Sequence, residues 1–182
     1  MVYVFLAPGF EEIEALAVVD VLRRAELDVL TVGVGEDFVI GSHQITVACE
    51  IAEKSLILDE KTEAIVLPGG MPGTLNLEKS ETVQNAIDWA IQNEKLVCAI
   101  CAAPSILGHK GLLNGKSATC FPGFEEELFG ADISKDYVVK DDNIITARGM
   151  GSAIEFGLQI AEVLTSRENA QKIRASLQIY NG

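Results

Sequence analysis

Positive charge is scarce in this chain: 14 lysines and arginines stand against 27 aspartates and glutamates, a formal net charge of −13 over 182 residues. Such a surface is repelled by nucleic-acid phosphates and by anionic lipid, which argues against DNA, RNA or a membrane as partner. Long apolar runs are missing as well. The opening "MVYVFLAPGF" has no basic segment and stops at Pro8, and no later run approaches the roughly 20 residues that cross a bilayer. The expectation is a cytoplasmic protein. Cysteine is sparse, with only Cys49, Cys98, Cys101 and Cys120, and without an export signal these read as reduced thiols rather than a disulfide framework. Histidine is scarcer still. His43 and His109 are the only two, and no second C-x-x-C accompanies "CAIC", so no metal site and no cofactor is expected. Linkers and low-complexity tracts are absent. With 48% hydrophobic residues, the chain is expected to form a single domain over residues 1–182.

What is present is an alternation of short apolar runs with helical periodicity. "VYVFLA" (2–7) reads as a buried strand, and "EEIEALAVVDVLRRAEL" follows as a helix, acidic in its first turn and basic in its last. "DVLTVGVG" (28–35) is a second strand, "FVIGSHQITVACEI" (38–51) a hairpin excursion, and "EAIVLPGG" (63–70) a return to the sheet. Helix "ETVQNAIDWAIQNE", strand "KLVCAIC", helix "AAPSILGHKGLL" and strand "SATCF" come next. A hairpin "YVVKDDNIITAR" turns at Asp141, Asp142 and Asn143, and helices from Ser152 to Leu164 and on to about Tyr180 complete the chain. Continuous apolar strands separated by helices predict an α/β fold, a mostly parallel sheet covered on both faces. Sites in such folds lie in the loops at the carboxyl ends of strands. Three loops qualify: "APGFEE", "LPGGMPG" and "AICAAP".

"AICAAP" places Cys101 where a strand passes into a helix, with small residues, Ala99 and Ala103, two positions to either side. A nucleophile elbow needs that arrangement, because the backbone folds sharply beneath the reactive side chain. At a helix amino end the sulfur would be stabilised as a thiolate, with its pKa lowered below the usual value of about 8.5. The competing reading is a small packed hydrophobe, which is what most free cysteines are. Three residues of extended strand separate Cys98 from Cys101 by about 10 Å and send them to opposite faces, which disfavours a bridge between them. Histidine does not supply a base. His109 lies about 12 Å along the helix from Cys101, and His43 sits in the hairpin excursion. Carboxylates are the alternative. Glu14 shares a stripe with Val18, Val21, Leu22 and Ala25, so it faces the sheet if that stripe does, and a buried carboxyl tends to hold its proton. The other reading is a solvated first-turn glutamate, which is the expectation for Glu12.

"GFEEIEAL", "VLPGGMPG", "AICAAPSIL" and "TARGMGSAIEFGL", in this order and spacing, resemble the ThiJ/PfpI superfamily. Within it they resemble the branch of the Parkinson-disease-associated protein and its bacterial YajL relatives, over nearly the whole chain. The resemblance implies a flavodoxin-like three-layer sandwich, a homodimer, and an easily oxidised nucleophilic cysteine at Cys101. It further implies that Glu14 is a protonated hydrogen-bond partner of the sulfur, that Gly69 and Gly70 are backbone donors, that the Ala102 amide completes an oxyanion hole, and that Arg148 lines the pocket. Two positions depart from the pattern. Where the protease-like branch has a histidine directly after the cysteine, this chain has Ala102, which disfavours a peptidase. Where the Parkinson-associated protein carries a histidine near the site, this chain has Phe121, so the cysteine and glutamate must act without an imidazole there.

Two functions follow from these residues. One is a glyoxalase or deglycase acting on a small aldehyde such as methylglyoxal, or on an early glycated substrate, through the Cys101 thiolate and a proton carried by Glu14. The other is a redox sensor or oxidative-stress chaperone that works through oxidation of Cys101.

Overall fold

The structure, a computed structural model, describes residues 1–179. Its centre is a seven-stranded sheet. Strand β1 (Val2–Leu6) is buried at every residue, and so are β6 (Ala64–Leu67), β7 (Leu96–Ile100) and β11 (Ile144–Ala147). Burial on both faces is what their uninterrupted apolar composition requires. With β2 (Val29–Gly33), the short β5 (Ile51–Ala52) and β10 (Val138–Asp141), the order across the sheet is β10-β11-β7-β6-β1-β2-β5. All neighbours are parallel except β10 and β11, which form the hairpin predicted around Asp142.

Helices cover both faces. Alternate residues of β1 separate cleanly: Val2, Val4 and Leu6 face a cluster containing Val18, Val21, Leu22 and Phe156, whereas Tyr3 and Phe5 face one containing Leu77, Ile87 and Ile106. The first cluster lies under α1 (Glu12–Arg24), α5 (Ala153–Leu164) and α6 (Arg167–Ser176). The second lies under α2 (Gly73–Lys79), α3 (Glu81–Gln92) and α4 (Pro104–His109). This is the three-layer, flavodoxin-like α/β arrangement. Chain order reverses between β1 and β6, whose following helices go to opposite faces, and that opens a crevice at their carboxyl ends.

Several elements differ from the sequence reading. The 102–113 helix shrinks to the six residues of α4, because a turn occupies 101–103 and Gly111, at φ +70°, takes the chain into the left-handed region just past the helix end. "SATCF" contributes only β8 (Ser117–Ala118), which pairs with β9 (Asp132–Ile133) outside the main sheet. Helix α2 was not anticipated, since its sequence "GTLNLEK" is too short to show a period. The 38–51 excursion is a hairpin of β3 (Phe38–Ile40) and β4 (Thr46–Ala48), as expected. Tyr180 lies outside the described residues. No helix among them is long and apolar enough to cross a membrane.

Candidate active site

Cys101 is the first residue beyond β7, and its backbone carries the strain of an elbow: φ is +66°, the left-handed region that a side chain with a Cβ rarely occupies. The surroundings hold it there. Its N–H donates to the Ala147 carbonyl (2.9 Å), and its own carbonyl accepts from the Phe121 N–H (2.8 Å). The turn also redirects the side chain. Continued extension would have sent Cys98 and Cys101 to opposite faces, but Cys98 and Cys101 both pack on the α1/α5 side, where Glu14 lies. All four cysteines are free.

Glu14 is 1% exposed. Helix α1 brings it there because Glu11, at the amino cap, accepts the Glu14 N–H through its own carboxylate (2.7 Å), which fixes the first turn. Glu14 Oε2 accepts the Gly69 N–H at 2.8 Å, and the carboxyl is also hydrogen-bonded to the Met150 backbone and to the Cys101 side chain. Burial, reinforced by the charge of Glu11, pushes the Glu14 pKa up to about 7, against those three hydrogen bonds. Its stripe mates Val18, Val21, Leu22 and Ala25 are all buried in the same cluster. Glu12, expected in solvent, is instead 2% exposed. It anchors the β3–β4 hairpin, accepting from the backbone N–H of His43 (2.7 Å) and from the Ser42 hydroxyl (3.2 Å).

The thiol does not behave as a helix amino end would make it. Burial, the Glu14 charge and the hydrogen bond to Glu14 push Cys101 up to about 12, and the backbone amides of Gly70 and Ala102 that bond the sulfur offset only part of this. A six-residue α4 beginning three positions away has little dipole to offer. The lowered pKa read from the sequence is therefore corrected.

Gly69 and Gly70 are brought together with this pair, but in different roles. A Cβ on Gly69 would lie 2.5 Å from the Cys101 Cβ and 2.6 Å from Glu14 Oε2, so only glycine lets the loop pass. Because its N–H is taken by Glu14, Gly69 orients the carboxyl and is not an oxyanion donor. Gly70 sits at φ +90°. Its amide and that of Ala102 point at the sulfur. Arg148 stacks over the Tyr137 ring (5.5 Å) and makes no hydrogen bond or ion pair with Glu14 or Cys101 among the described residues. It lines a neighbouring cleft with Phe121, whose ring lies 3.2 Å from where a Gly149 Cβ would be. Sequence reasoning missed Glu11 and the Met150 amide. The spacing Glu-x-x-Glu was a signal for the first, as an amino cap precedes its N3 residue by three.

One further group, Glu11, Glu12 and His43, has side-chain ligand atoms within 4.8 Å of one another. Its carboxylates are already committed to Glu14, Ser42 and His43.

Residues 1–163 match the DJ-1/PfpI family. The protein dj-1beta of Drosophila melanogaster is 37% identical over 184 residues, spanning 98% of this chain and 97% of its own. Its crystal structure superposes with a TM-score of 0.91 at 34% identity, over 98% of this chain and 97% of that one. A glutathione-independent glyoxalase, DJR-1.2 of Caenorhabditis elegans, is 30% identical over 165 residues, 90% of this chain and 87% of its own. Toxoplasma gondii DJ-1, solved in an oxidized form, superposes with a TM-score of 0.89 at 33% identity over 97% of this chain and 96% of that one. An elbow cysteine bonded to a buried glutamate, on a sheet of this order, thus occurs in a chain that belongs to the DJ-1/PfpI family.

Proposed function

We propose that the protein is a cofactor-independent glyoxalase, with deglycase action on early glycation adducts, in which Cys101 is the nucleophile and Glu14 the proton carrier. The observation that carries this reading is the pairing itself: a carboxyl buried to 1% exposure with a pKa near 7, hydrogen-bonded to the sulfur of a strained elbow. A base with that pKa accepts and returns protons at physiological pH. Its relative in C. elegans bears the name glyoxalase.

The steps follow from these positions. Glu14 takes the Cys101 proton, and the sulfur adds to the aldehyde carbon C1 of a 2-oxoaldehyde, forming a hemithioacetal whose oxygen the Gly70 and Ala102 amides receive. Glu14, having passed its proton to that oxygen, removes the hydrogen from C1 and returns it to C2, while the hydroxyl proton on the C1 oxygen moves to the C2 oxygen. C1 is oxidised and C2 reduced within the same molecule, so no external oxidant enters. The product at this stage is a thioester of a 2-hydroxy acid on Cys101. Water cleaves it, releasing the acid and restoring the thiol; methylglyoxal gives lactate. On a glycated thiol or amine, the adduct first releases its protein group and the freed aldehyde follows the same route. The test is lactate formed from methylglyoxal by wild type and Cys101→Ser. Loss of product in the variant supports the reading, and equal product in both overturns it.

A second reading rests on Glu14 being a hydrogen-bond donor when protonated. Peroxide would oxidise Cys101 to sulfenic and then sulfinic acid, and protonated Glu14 would bond a sulfinate oxygen, so the same pair would serve a redox sensor or stress chaperone. The oxidized T. gondii relative favours keeping it. Both readings suit the cytoplasm, where four free thiols remain reduced. We also propose a homodimer. Ile13 and Leu16 on the outer face of α1, Ile40 and Ile45 on the adjoining hairpin, and Ile154 at the start of α5 are exposed apolar side chains suited to a second copy.

A further inference from the structure

The cleft beside the reacting pair is larger and more apolar than methylglyoxal requires. It is an open cleft of about 430 Å³, within the range of roughly 300–1,000 Å³ that holds drug-sized ligands, whereas methylglyoxal carries only a methyl group beyond its two carbonyls. Its walls include Phe121, Pro122, Tyr137 and Met150, with Arg148 as the charged residue at its edge. Phe121, Tyr137 and Met150 are 47%, 68% and 55% exposed, an unusual display of large apolar surface against a functional centre.

This surface is continuous with the chemistry. Phe121 is tied to the elbow through its N–H on the Cys101 carbonyl, the Met150 backbone bonds the Glu14 carboxyl, and Gly149 lies between them. On other sides the sulfur and the carboxyl already have close neighbours. Gly69 packs against Cys101 and Glu14, the Ala102 and Gly70 amides bond the sulfur, and α1 lies behind the carboxyl. A 2-oxoaldehyde joined to Cys101 through C1, with Glu14 serving C1 and C2, must direct the substituent on C2 to the open side. That side is the apolar cleft.

We propose that the substrates are 2-oxoaldehydes whose C2 substituent is a bulky apolar group, aryl or branched alkyl, and that Phe121, Tyr137 and Met150 select for it over methyl. The proposal rests on the aldehyde chemistry of Cys101 and Glu14 above and names its substrate class. An imidazole at position 121 would make this wall polar; the phenyl ring makes it a surface on which another ring or an isobutyl group is desolvated. Discrimination by apolar contacts of this size is worth roughly 10–200-fold.

The experiment compares kcat/KM for methylglyoxal, isobutylglyoxal and phenylglyoxal in wild type, Phe121→Ala and Tyr137→Ser, from initial rates of 2-hydroxy acid formation. Wild type should favour the two larger aldehydes by about 10-fold or more, mainly through KM. Both variants should lose more on the larger aldehydes than on methylglyoxal, shrinking that ratio by about 5-fold or more. Two substitutions at half-exposed positions guard against one of them disturbing the fold. Turnover of methylglyoxal without preference for the larger aldehydes, or a preference that both variants retain, overturns the selectivity proposal alone. Turnover of none of the three overturns the aldehyde reading and this proposal with it.

Discussion

The two halves of α1 obey opposite rules. In the second half Val18, Val21 and Leu22 are buried while Asp20, Arg23 and Arg24 face solvent; in the first half Glu11, Glu12 and Glu14 are buried while Ile13 and Leu16 are exposed. Transfer of apolar area from water explains the second half. It cannot explain the first, where each buried carboxylate is instead matched to its own donors: Glu11 to the Glu14 amide, Glu12 to the hairpin, and Glu14 to Gly69, Met150 and Cys101. One half is ordered by apolar burial and the other by pairing buried carboxylates with donors. A stretch that inverts the amphipathic pattern yet leaves no carboxylate without a partner is where chemistry is to be sought.

The largest break in this comparison comes from the second half. Leu22→Ala opens a void in a fully buried position and should cost about 2–5 kcal/mol in denaturant unfolding. Glu14→Gln should do the reverse at alkaline pH. The folded pKa of Glu14, about 7, lies above its usual 4.5, so its contribution is complete in acid and is lost as pH rises from about 4.5 through 7, by up to about 3 kcal/mol. Glutamine has no charge to bury. Unfolding free energies measured at pH 5 and pH 8 should therefore fall in wild type and stay level, in this respect, in Glu14→Gln. A wild type without that fall would mean Glu14 stays protonated or is solvated.

Ile13→Asp sharpens the comparison at the surface. If the exposed apolar residues of the first half meet a second copy, the variant should shift from twice 19.6 kDa to 19.6 kDa in light scattering, with its fold retained. A wild-type monomer would contradict the assembly. The smallest effect is expected where carboxylates stay exposed. His109 on α4 bridges Glu78 on α2 (2.5 Å) and Glu127 (2.8 Å), and the hydrogen bonds to both raise its pKa. A raised histidine stabilises fully below its usual value of about 6.5 and ceases to as pH climbs through the folded value. With the side chain 32% exposed, His109→Gln should remove no more than about 1 kcal/mol at pH 6 and almost nothing at pH 9.

Much of this was legible in the residues. The parallel sheet followed from uninterrupted apolar strands, the elbow from small residues around Cys101, and the burial of Glu14 from its stripe. What was not legible depended on long-range contacts. Glu12 reads as a first-turn solvent residue until the hairpin, some 30 residues later, folds back over it. The direction of the Cys101 side chain depends on one left-handed φ, which alternation along a strand does not encode. Its pKa depends on burial and on a carboxylate 87 positions earlier in the chain rather than on the short helix beside it.

The central claim is that Glu14 carries the proton for Cys101, and turnover of methylglyoxal by Glu14→Gln tests it most directly. The amide keeps the size and a hydrogen-bond donor but cannot accept the proton, so lactate formation should fall by about 10²-fold or more, while peroxide still oxidises Cys101. Equal turnover in wild type and Glu14→Gln would contradict the account.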